Sequence, residues 1–320
     1  MGKSVLSDKH FHDEAAAYRF VEKRVWPNGP VCPRCGERKR IGKLKGKSTR
    51  MGVYKCYKCR KPFTVKIGTI FESSHVKLHL WLQAIFLMAS SKKGISANQL
   101  HRTLGVTLKT AWFMAHRIRE AMRDGSLAPM GGGGKIVEAD ETYYGNVDNP
   151  RHTRTSGAAF MRGRKKPGGG PANKRAILSL VERGGSVRSF HIAQANIHNV
   201  QDVVRSNVDR EARLFTDESR LYNREHEHVS AHETVKHAAG EYVRGEVHTN
   251  TVENVFSVFK RGMRGTYQHC REKHLHRYLA EFDFRYNSRV ALGVDDSTRA
   301  ERLLKGIVGK RLTYETAQAR

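Results

Sequence analysis

The chain has 320 residues, and its 58 Lys and Arg against 31 Asp and Glu give it a formal net charge of +27 at pH 7. Hydrophobic residues make up 38% of the chain, which argues against wholesale disorder and suits about two or three domains. The longest apolar run, Leu80 to Ala89, is half the roughly 20 residues of a spanning helix, so a membrane protein is excluded. The positive charge favours nucleic acid as the partner, with a merely soluble basic surface as the alternative.

The first 25 residues carry charged side chains where a secretory signal would have an apolar core, so we expect a cytoplasmic protein. Next come two C-x2-C pairs, which are separated by a spacer of 20 residues, from 36 to 55: Cys32 and Cys35, then Cys56 and Cys59. Such pairs are typical of a closed tetrahedral zinc site with a structural role. A disulfide framework is the alternative, but the expected cytoplasm and the odd fifth cysteine, Cys270, favour Zn2+.

The spacer and its surroundings are strongly basic. From residue 34 to residue 66 there are 13 Lys or Arg and a single acid, Glu37, which indicates contact with phosphates. Alternating apolar and polar residues over Met51–Cys56 and Pro62–Phe71 predict short strands. We therefore predict a zinc ribbon over residues 28–72, preceded by a helical segment over residues 1–27.

Residues 73–130 have the pattern of a helical hairpin. Apolar spacing predicts a helix from Leu78 to Ala89. Ser96 can cap a second helix that ends near Gly105, and Thr107 can cap a third from residue 108 to residue 122. This helix-turn-helix-like segment would place the third helix in the major groove of DNA, with plain helical packing as the alternative. The side chains expected to lie away from its core are Lys109, Trp112, His116, Arg117 and Arg119.

Four glycines, from residue 131 to residue 134, mark a boundary near residue 130. Alternation predicts a strand over residues 135–144, with Glu138 and Asp140 on one face and Glu141 on the other. Two further predicted strands, over residues 176–182 and 187–193, form a hairpin, and a fourth, over residues 212–217, ends at Asp217. The stretch 162–171 is expected to be a mobile basic loop, and a helix is expected over residues 200–208.

A last predicted helix, over residues 248–264, is amphipathic. Its apolar stripe faces away from a polar face that carries Glu253, Ser257, Lys260 and Arg264. Asp140, Asp217 and Glu253 thus come from two strands and a helix, and three such carboxylates can hold the divalent cations of phosphoryl transfer. Spacing alone does not decide the point, because single acids are commonly surface salt-bridge partners.

The sequence resembles the bacterial DDE transposases of the insertion-sequence-1595 family. The matching stretches are Glu138–Gly145, Phe215–Glu218, His237 with Gly240–Val243, His248–Glu253, Lys260–Tyr267 and Arg277–Asn287. This resemblance implies an α/β (α+β) ribonuclease-H-like catalytic domain, a mixed sheet flanked by helices, over residues 131–290. A basic tail without assigned chemistry follows over residues 291–320.

The resemblance also implies site residues. Asp140, Asp217 and Glu253 match the catalytic triad that binds Mg2+ or Mn2+, and Lys260 matches a basic residue that holds transposon-end DNA, with Arg261 and Arg264 beside it. Some family members have Asn in place of the glutamate, so Asn254 is an alternative to Glu253. The charged Glu253 is the stronger metal ligand, and Lys260 then falls two turns along its face. Glu138 and Glu141 are alternatives to Asp140, which aligns with the motif.

The implied function is that of a transposase that cuts double-stranded DNA at the terminal inverted repeats of its element. It would then join the 3′-hydroxyl to target DNA by two-metal transesterification, as a homodimer or larger assembly. The alternatives are a non-catalytic zinc-ribbon and helix-turn-helix regulator and a ribonuclease-H-like nuclease without strand joining. A zinc site is conceivable at a histidine cluster, although solvated or phosphate-contacting side chains are favoured: His226, His228, His232 and His237.

Overall fold

The computed structural model describes residues 4–123, 125, 127–148, 173–236 and 239–313. None of the helices in these ranges combines the length and the apolar character needed to cross a membrane. The chain forms two compact units, one of Met1–Asp124 with Ser288–Arg320 and one of Gly125–Asn287. The predicted basic loop at 162–171 and the predicted motif residue His237 lie outside the described residues.

The first unit combines a small antiparallel sheet with helices. Its elements, numbered along the whole chain, are α1 (Glu14–Val25), β1 (Ile41–Lys43), β2 (Tyr54–Cys56), β3 (Pro62–Phe63), α2 (Leu78–Ser90), α3 (Ala97–Leu104), α4 (Leu108–Met122) and α8 (Asp296–Lys305). The strand order is β1-β2-β3. The predicted strand over Pro62–Phe71 is formed only at its first two residues, because the chain then turns.

Helices α3 and α4 confirm the predicted caps. The Ser96 hydroxyl accepts a hydrogen bond from the backbone N–H of Gln99 (3.1 Å), and the Thr107 hydroxyl accepts one from Thr110 (3.2 Å). Gly105 ends α3 with a φ of 64°, a left-handed conformation that suits glycine. The sequence therefore predicted both helix starts and the turn between them.

The predicted exposure of three residues of α4 is wrong, because His116, Arg117 and Arg119 are all buried. The Arg117 guanidinium donates hydrogen bonds to the carbonyl oxygens of Ile70 (2.8 Å), Glu72 (2.7 Å) and Leu312 (3.1 Å). The His116 ring packs against Trp112 at 4.1 Å between centroids. Arg117 therefore tethers loops inside its own unit and is not placed to reach a phosphate.

Residues 291–320 contain more structure than the predicted basic tail. Helix α8 packs against α2, and its N-terminus is capped by Asp295, which accepts a hydrogen bond from Thr298 N–H (2.7 Å). The buried Arg299 guanidinium donates to the carbonyl oxygens of Ala89 (3.1 Å) and Ser288 (2.8 Å). The described part of this stretch therefore belongs to the core of the first unit.

In the described part of the second unit, five strands form one sheet with helices on both faces. Its elements are β4 (Ile136–Asn146), β5 (Lys174–Glu182), β6 (Val187–Ile192), α5 (Ile197–Asn207), β7 (Arg213–Asp217), β8 (Ala231–Val235), α6 (Asn250–Gly262) and α7 (Leu275–Asn287). The strand order is β6-β5-β4-β7-β8, with β6, β5 and β4 antiparallel and β7 and β8 parallel to β4.

Two hydrophobic cores lie on opposite faces of this sheet. One core packs Val200 and Val204 of α5 against Val137 and Ala139 of β4. The other packs side chains of α6 and α7, such as Phe256, against β5. This mixed sheet flanked by helices confirms the predicted ribonuclease-H-like fold. The edge strand β8 was not predicted, because its polar sequence lacks a run of apolar residues.

Candidate active site

The acidic residues of β4 divide between the two faces of the sheet as the alternation predicts. Val137 and Ala139 belong to the core beneath α5, and Glu141 shares their face by its odd position along the strand. Glu138 lies on the other face, where its carboxylate contacts the start of α6. Asp140 shares that face and pairs across the sheet with Ser179.

Asp140 and Asp217 lie on neighbouring strands. Strands β4 and β7 are parallel, with Ile136 opposite Arg213 and Glu138 opposite Phe215. Extending this register by two residues brings Asp140 level with Asp217. The Asp217 carboxylate is fixed by a hydrogen bond from the backbone N–H of Ser219 (3.0 Å).

Glu253 comes from the first turn of α6 and is exposed, and its carboxylate accepts a hydrogen bond from the Thr249 hydroxyl (3.3 Å). Burial, which has the largest effect, and the negative charges of Glu141, Asp217 and Glu253 together raise the pKa of Asp140 to about 8, although a hydrogen bond from the backbone N–H of Glu141 lowers it. Asp217 and Glu253 therefore both lie within electrostatic range of Asp140. Their mutual repulsion favours a bound cation.

The two acidic residues near Asp140 on β4, Glu138 and Glu141, both accept hydrogen bonds from other parts of the protein. Glu141 accepts hydrogen bonds from the Tyr222 hydroxyl (2.8 Å) and the Ser219 hydroxyl (3.4 Å), and burial raises its pKa. Glu138 is fully buried and accepts several hydrogen bonds from α6 and Arg183. Groups from other elements thus hold both Glu138 and Glu141, whereas Asp140 accepts a hydrogen bond from the backbone N–H of the adjacent Glu141 (2.7 Å).

The triad is looser than a formed metal cage. Within the described ranges, only one group of three or more acidic, histidine or cysteine side chains has its ligand atoms all within 4.8 Å of one another, and that group is the four cysteines. At least one pair of carboxylate oxygens in the triad is therefore farther apart than this.

A basic group lies beside Asp140. The pKa of Lys260 is lowered, mainly by burial and also by the positive charges of Arg264 and Lys174. The negative charge of Asp140 acts in the opposite direction and raises it. These effects place Lys260 within electrostatic range of the predicted metal ligand. Lys174, at the exposed start of β5, is a residue that sequence reasoning missed, because nothing in the sequence links it to Lys260.

The other predicted basic residues follow on the same stretch of chain. The Arg261 guanidinium donates a hydrogen bond to the carbonyl oxygen of Ser257 (3.3 Å). Helix α6 ends at Gly262, and Arg264 lies in the single π-helical turn Met263–Tyr267 that follows. Such turns are frequent at functional sites. Arg264 therefore leaves the regular face of α6 but stays within electrostatic range of Lys260.

The four predicted zinc ligands converge at the ribbon. The sulfur atoms of Cys32 and Cys59 are 3.7 Å apart, and those of Cys35 and Cys56 are 3.6 Å apart. Zn–S bonds of about 2.3 Å give tetrahedral edges of about 3.8 Å, so the thiolates fit one zinc ion. None of the four forms a disulfide. The arrangement therefore favours a zinc site over a disulfide framework.

The described histidines of the predicted cluster, His226, His228 and His232, do not bring their ring nitrogens within 4.8 Å of one another as a group of three. His228 hydrogen-bonds with the Val208 carbonyl oxygen (3.2 Å), and His232 with the Thr216 hydroxyl (3.0 Å). Burial lowers the pKa of His232, with a smaller contribution from His226. Cys270 is half-buried beside the core under α6 and α7, in the irregular segment that follows Tyr267 and not on a helix.

Comparison with known proteins identifies the family. The family model described as ISXO2-like transposase domain matches residues 131–287, and the model described as transposase zinc-ribbon domain matches residues 12–62. Both are models of the insertion-sequence-1595 group. The chain belongs to the insertion-sequence-1595 transposase family. Its four cysteines and the zinc-ribbon match together support a structural Zn2+ in this family member.

A curated relative and a solved structure are similar to this transposase-family chain. An uncharacterized protein in transposable element ISH50 of Halobacterium salinarum is 28% identical over 285 residues, which cover 87% of this chain and 92% of the relative. The crystal structure of the Mos1 strand transfer complex matches with a TM-score of 0.29 and 12% identity, covering 70% of this chain and 73% of that one.

Proposed function

We propose that this family member is a DNA transposase that cuts the ends of its element and joins the freed 3′-hydroxyl to target DNA. The observation that carries the proposal is the electrostatic proximity of Asp217 and Glu253 to Asp140, on the neighbouring strands β4 and β7 and on helix α6, in a chain of a transposase family. The basic Lys260 beside Asp140 supports the same conclusion.

The three carboxylates suit divalent cations. Hard oxygen ligands are the donors that Mg2+ and Mn2+ prefer, and the like charges around Asp140 are incompletely balanced by the protein. Asp140, Asp217 and Glu253 would hold the ions. A bound pair of such ions stabilises the attacking and leaving oxygens of an in-line displacement.

The reaction consists of two displacements at phosphorus. A water oxygen first bonds to the phosphorus at the element end, and the 3′-oxygen leaves and takes up a proton. This 3′-hydroxyl then bonds to a target phosphorus and displaces a target 3′-oxygen, so the number of phosphodiester bonds is unchanged in the joining step. Lys260 would hold a phosphate next to the reacting one. This contact would keep the reacting phosphate aligned for in-line attack, and such alignment contributes strongly to the reaction rate.

DNA contact is proposed for three further parts of the chain. The zinc ribbon has its basic stretch, α4 has the exposed Lys109 and the half-buried Trp112, and the segment after Glu253 has Arg261 and Arg264. Two element ends must be handled together, so we propose a dimer or larger assembly on DNA. Because the proposed substrates are the DNA of the element and of its target, we propose that the protein acts in the cytoplasm.

A cleavage assay tests this function. Full-length protein is incubated with an end-labelled duplex of the element end, with Mg2+ or with EDTA, and the products are separated on a denaturing gel. We expect a nick at the element end that requires Mg2+ and is absent with Asp140→Asn protein. Binding without cleavage under all conditions would support the regulator alternative and contradict the enzyme.

A further inference from the structure

Glu138 is a buried carboxylate that connects β4 to the start of α6. Its side chain is 0% exposed and lies two residues before Asp140 on the same face of the strand. One carboxylate oxygen, Oε2, accepts hydrogen bonds from the backbone N–H groups of Thr251 (2.8 Å) and Val252 (3.1 Å). The other, Oε1, accepts from the Thr251 hydroxyl (2.8 Å) and from Arg183 Nε (2.6 Å).

These contacts take the place of a local helix cap. The first N–H groups of a helix have no partner within the helix, and the side chain of Thr249, at the N-cap position of α6, makes no capping hydrogen bond. A carboxylate at this end also interacts favourably with the helix dipole. Glu138 therefore supplies, from the neighbouring strand, both the acceptors and the negative charge that this end of α6 needs.

Arg183 extends the connection to the segment that leads into α6. Its guanidinium donates to the carbonyl oxygens of Glu246 (2.7 Å) and His248 (3.0 Å) while it contacts Glu138. The positive charge of Arg183 also balances the buried carboxylate, which would otherwise be costly. One carboxylate and one guanidinium thus hold residues 246–252 in place.

The residues that these bonds fix adjoin the triad on both sides. Glu138 precedes Asp140 by two residues, and Val252, which donates to Glu138, directly precedes Glu253. We propose that Glu138 is a positioning residue that sets the separation of Asp140 and Glu253, and with it the affinity of the triad for divalent cations. This inference rests on the proposed function only in taking the triad as the cation site.

Titration of Mn2+ into full-length, zinc-loaded protein tests the inference without any reaction. We expect Glu138→Gln to bind Mn2+ about 10- to 100-fold more weakly than the unmodified chain, as for other residues that support metal ligands. The matched control is Glu182→Gln. Glu182 also lies on this sheet but accepts hydrogen bonds from Gly131 N–H and Lys135 Nζ instead of from α6. Its Mn2+ affinity should stay unchanged.

A second variant covers the case in which Glu138→Gln does not fold, as judged by circular dichroism. Thr251→Ala removes a single donor to Glu138 and keeps the backbone bonds, so we expect Mn2+ affinity to fall about fivefold. Folded Glu138→Gln or Thr251→Ala protein with unchanged Mn2+ affinity would overturn the inference.

Cleavage kinetics separate this inference from the proposed function. The Mg2+ concentration that gives half-maximal cleavage should rise about tenfold or more in Glu138→Gln, and saturating Mg2+ should recover much of the rate. If the unmodified chain cleaves and the variant needs no additional Mg2+, the positioning role is wrong while the function stands. If the unmodified chain never cleaves but Glu138→Gln loses Mn2+ affinity, the function is wrong while the positioning role stands.

Discussion

Replacing Lys260 with alanine should weaken binding to the element end and flatten its dependence on salt. Lys260 lies seven residues after Glu253 on the continuous helix α6, which is about 10 Å at 1.5 Å per residue. It is half-buried and within electrostatic range of Asp140. A phosphate next to the reacting one would lie at such a distance from the triad.

The size of the effect follows from counterion release. Each phosphate neutralised by a lysine changes the slope of log affinity against log salt by about 0.9. Loss of one contact should therefore reduce the slope by about 0.9. The ratio of the DNA affinity of the unmodified chain to that of Lys260→Ala should then fall about 3.5-fold when salt is raised from 50 to 200 mM. Joining should also fall, because a displaced phosphate misses its in-line alignment.

Binding isotherms at four or more salt concentrations measure this slope directly. The matched control is Lys135→Ala, which removes the same charge from the same unit at a lysine that pairs with Glu182 (3.1 Å). Its slope should equal that of the unmodified chain. An unchanged slope together with unchanged joining in Lys260→Ala would make Lys260 an ordinary surface lysine and refute its proposed role.

Three further predictions concern the zinc ribbon, the triad and α4. Purified protein should contain one zinc per chain by metal analysis, and Cys56→Ser protein should lose it, because the four sulfur atoms fit one tetrahedral ion. Asp140→Asn, Asp217→Asn and Glu253→Gln should each abolish cleavage and joining on gels but leave end binding largely intact, because each removes a ligand's charge with little change of shape. Arg117→Leu should lower the free energy of unfolding by about 3 kcal/mol in denaturant titrations, because the buried carbonyl oxygen of Ile70 and the partly buried ones of Glu72 and Leu312 lose their donor.

Each of these predictions has a contradicting result. Zinc retained by Cys56→Ser protein would exclude the proposed ligand set. Activity retained by Glu253→Gln, with loss of activity in Asn254→Ala, would shift the third ligand by one residue. If Arg117→Leu protein kept its stability but showed a smaller salt dependence of DNA binding, Arg117 would contact DNA instead of stabilising the fold.

The sequence predicted those features that short-range chemistry determines. Strand alternation separated Glu138 and Asp140 from Glu141, and the capping residues Ser96 and Thr107 marked two helix starts. The spacing of the cysteines predicted their convergence. In each case the decisive contacts lie within a few residues or follow from a fixed periodicity.

Features that depend on distant partners were not predicted. Arg117 is buried because it finds carbonyl oxygens 45 and 195 residues away, and helical periodicity cannot reveal such partners. The same limit applies to Glu138, whose partners in α6 are 113 and 114 residues distant. Strand alternation predicted which face of β4 carries Glu138, but it could not predict that Glu138 caps the start of α6.

The central claim is that Asp140, Asp217 and Glu253 catalyse strand joining on DNA. The most direct measurement is joining of a labelled, pre-cut element end into plasmid DNA by full-length protein with Mg2+. Plasmid that carries the label at a newly formed 3′-phosphodiester is the expected product, and it should be absent with EDTA and with each of the three ligand variants. Cleavage without any joined product would indicate a simple nuclease, and joining by Asp140→Asn protein would contradict the proposed active site.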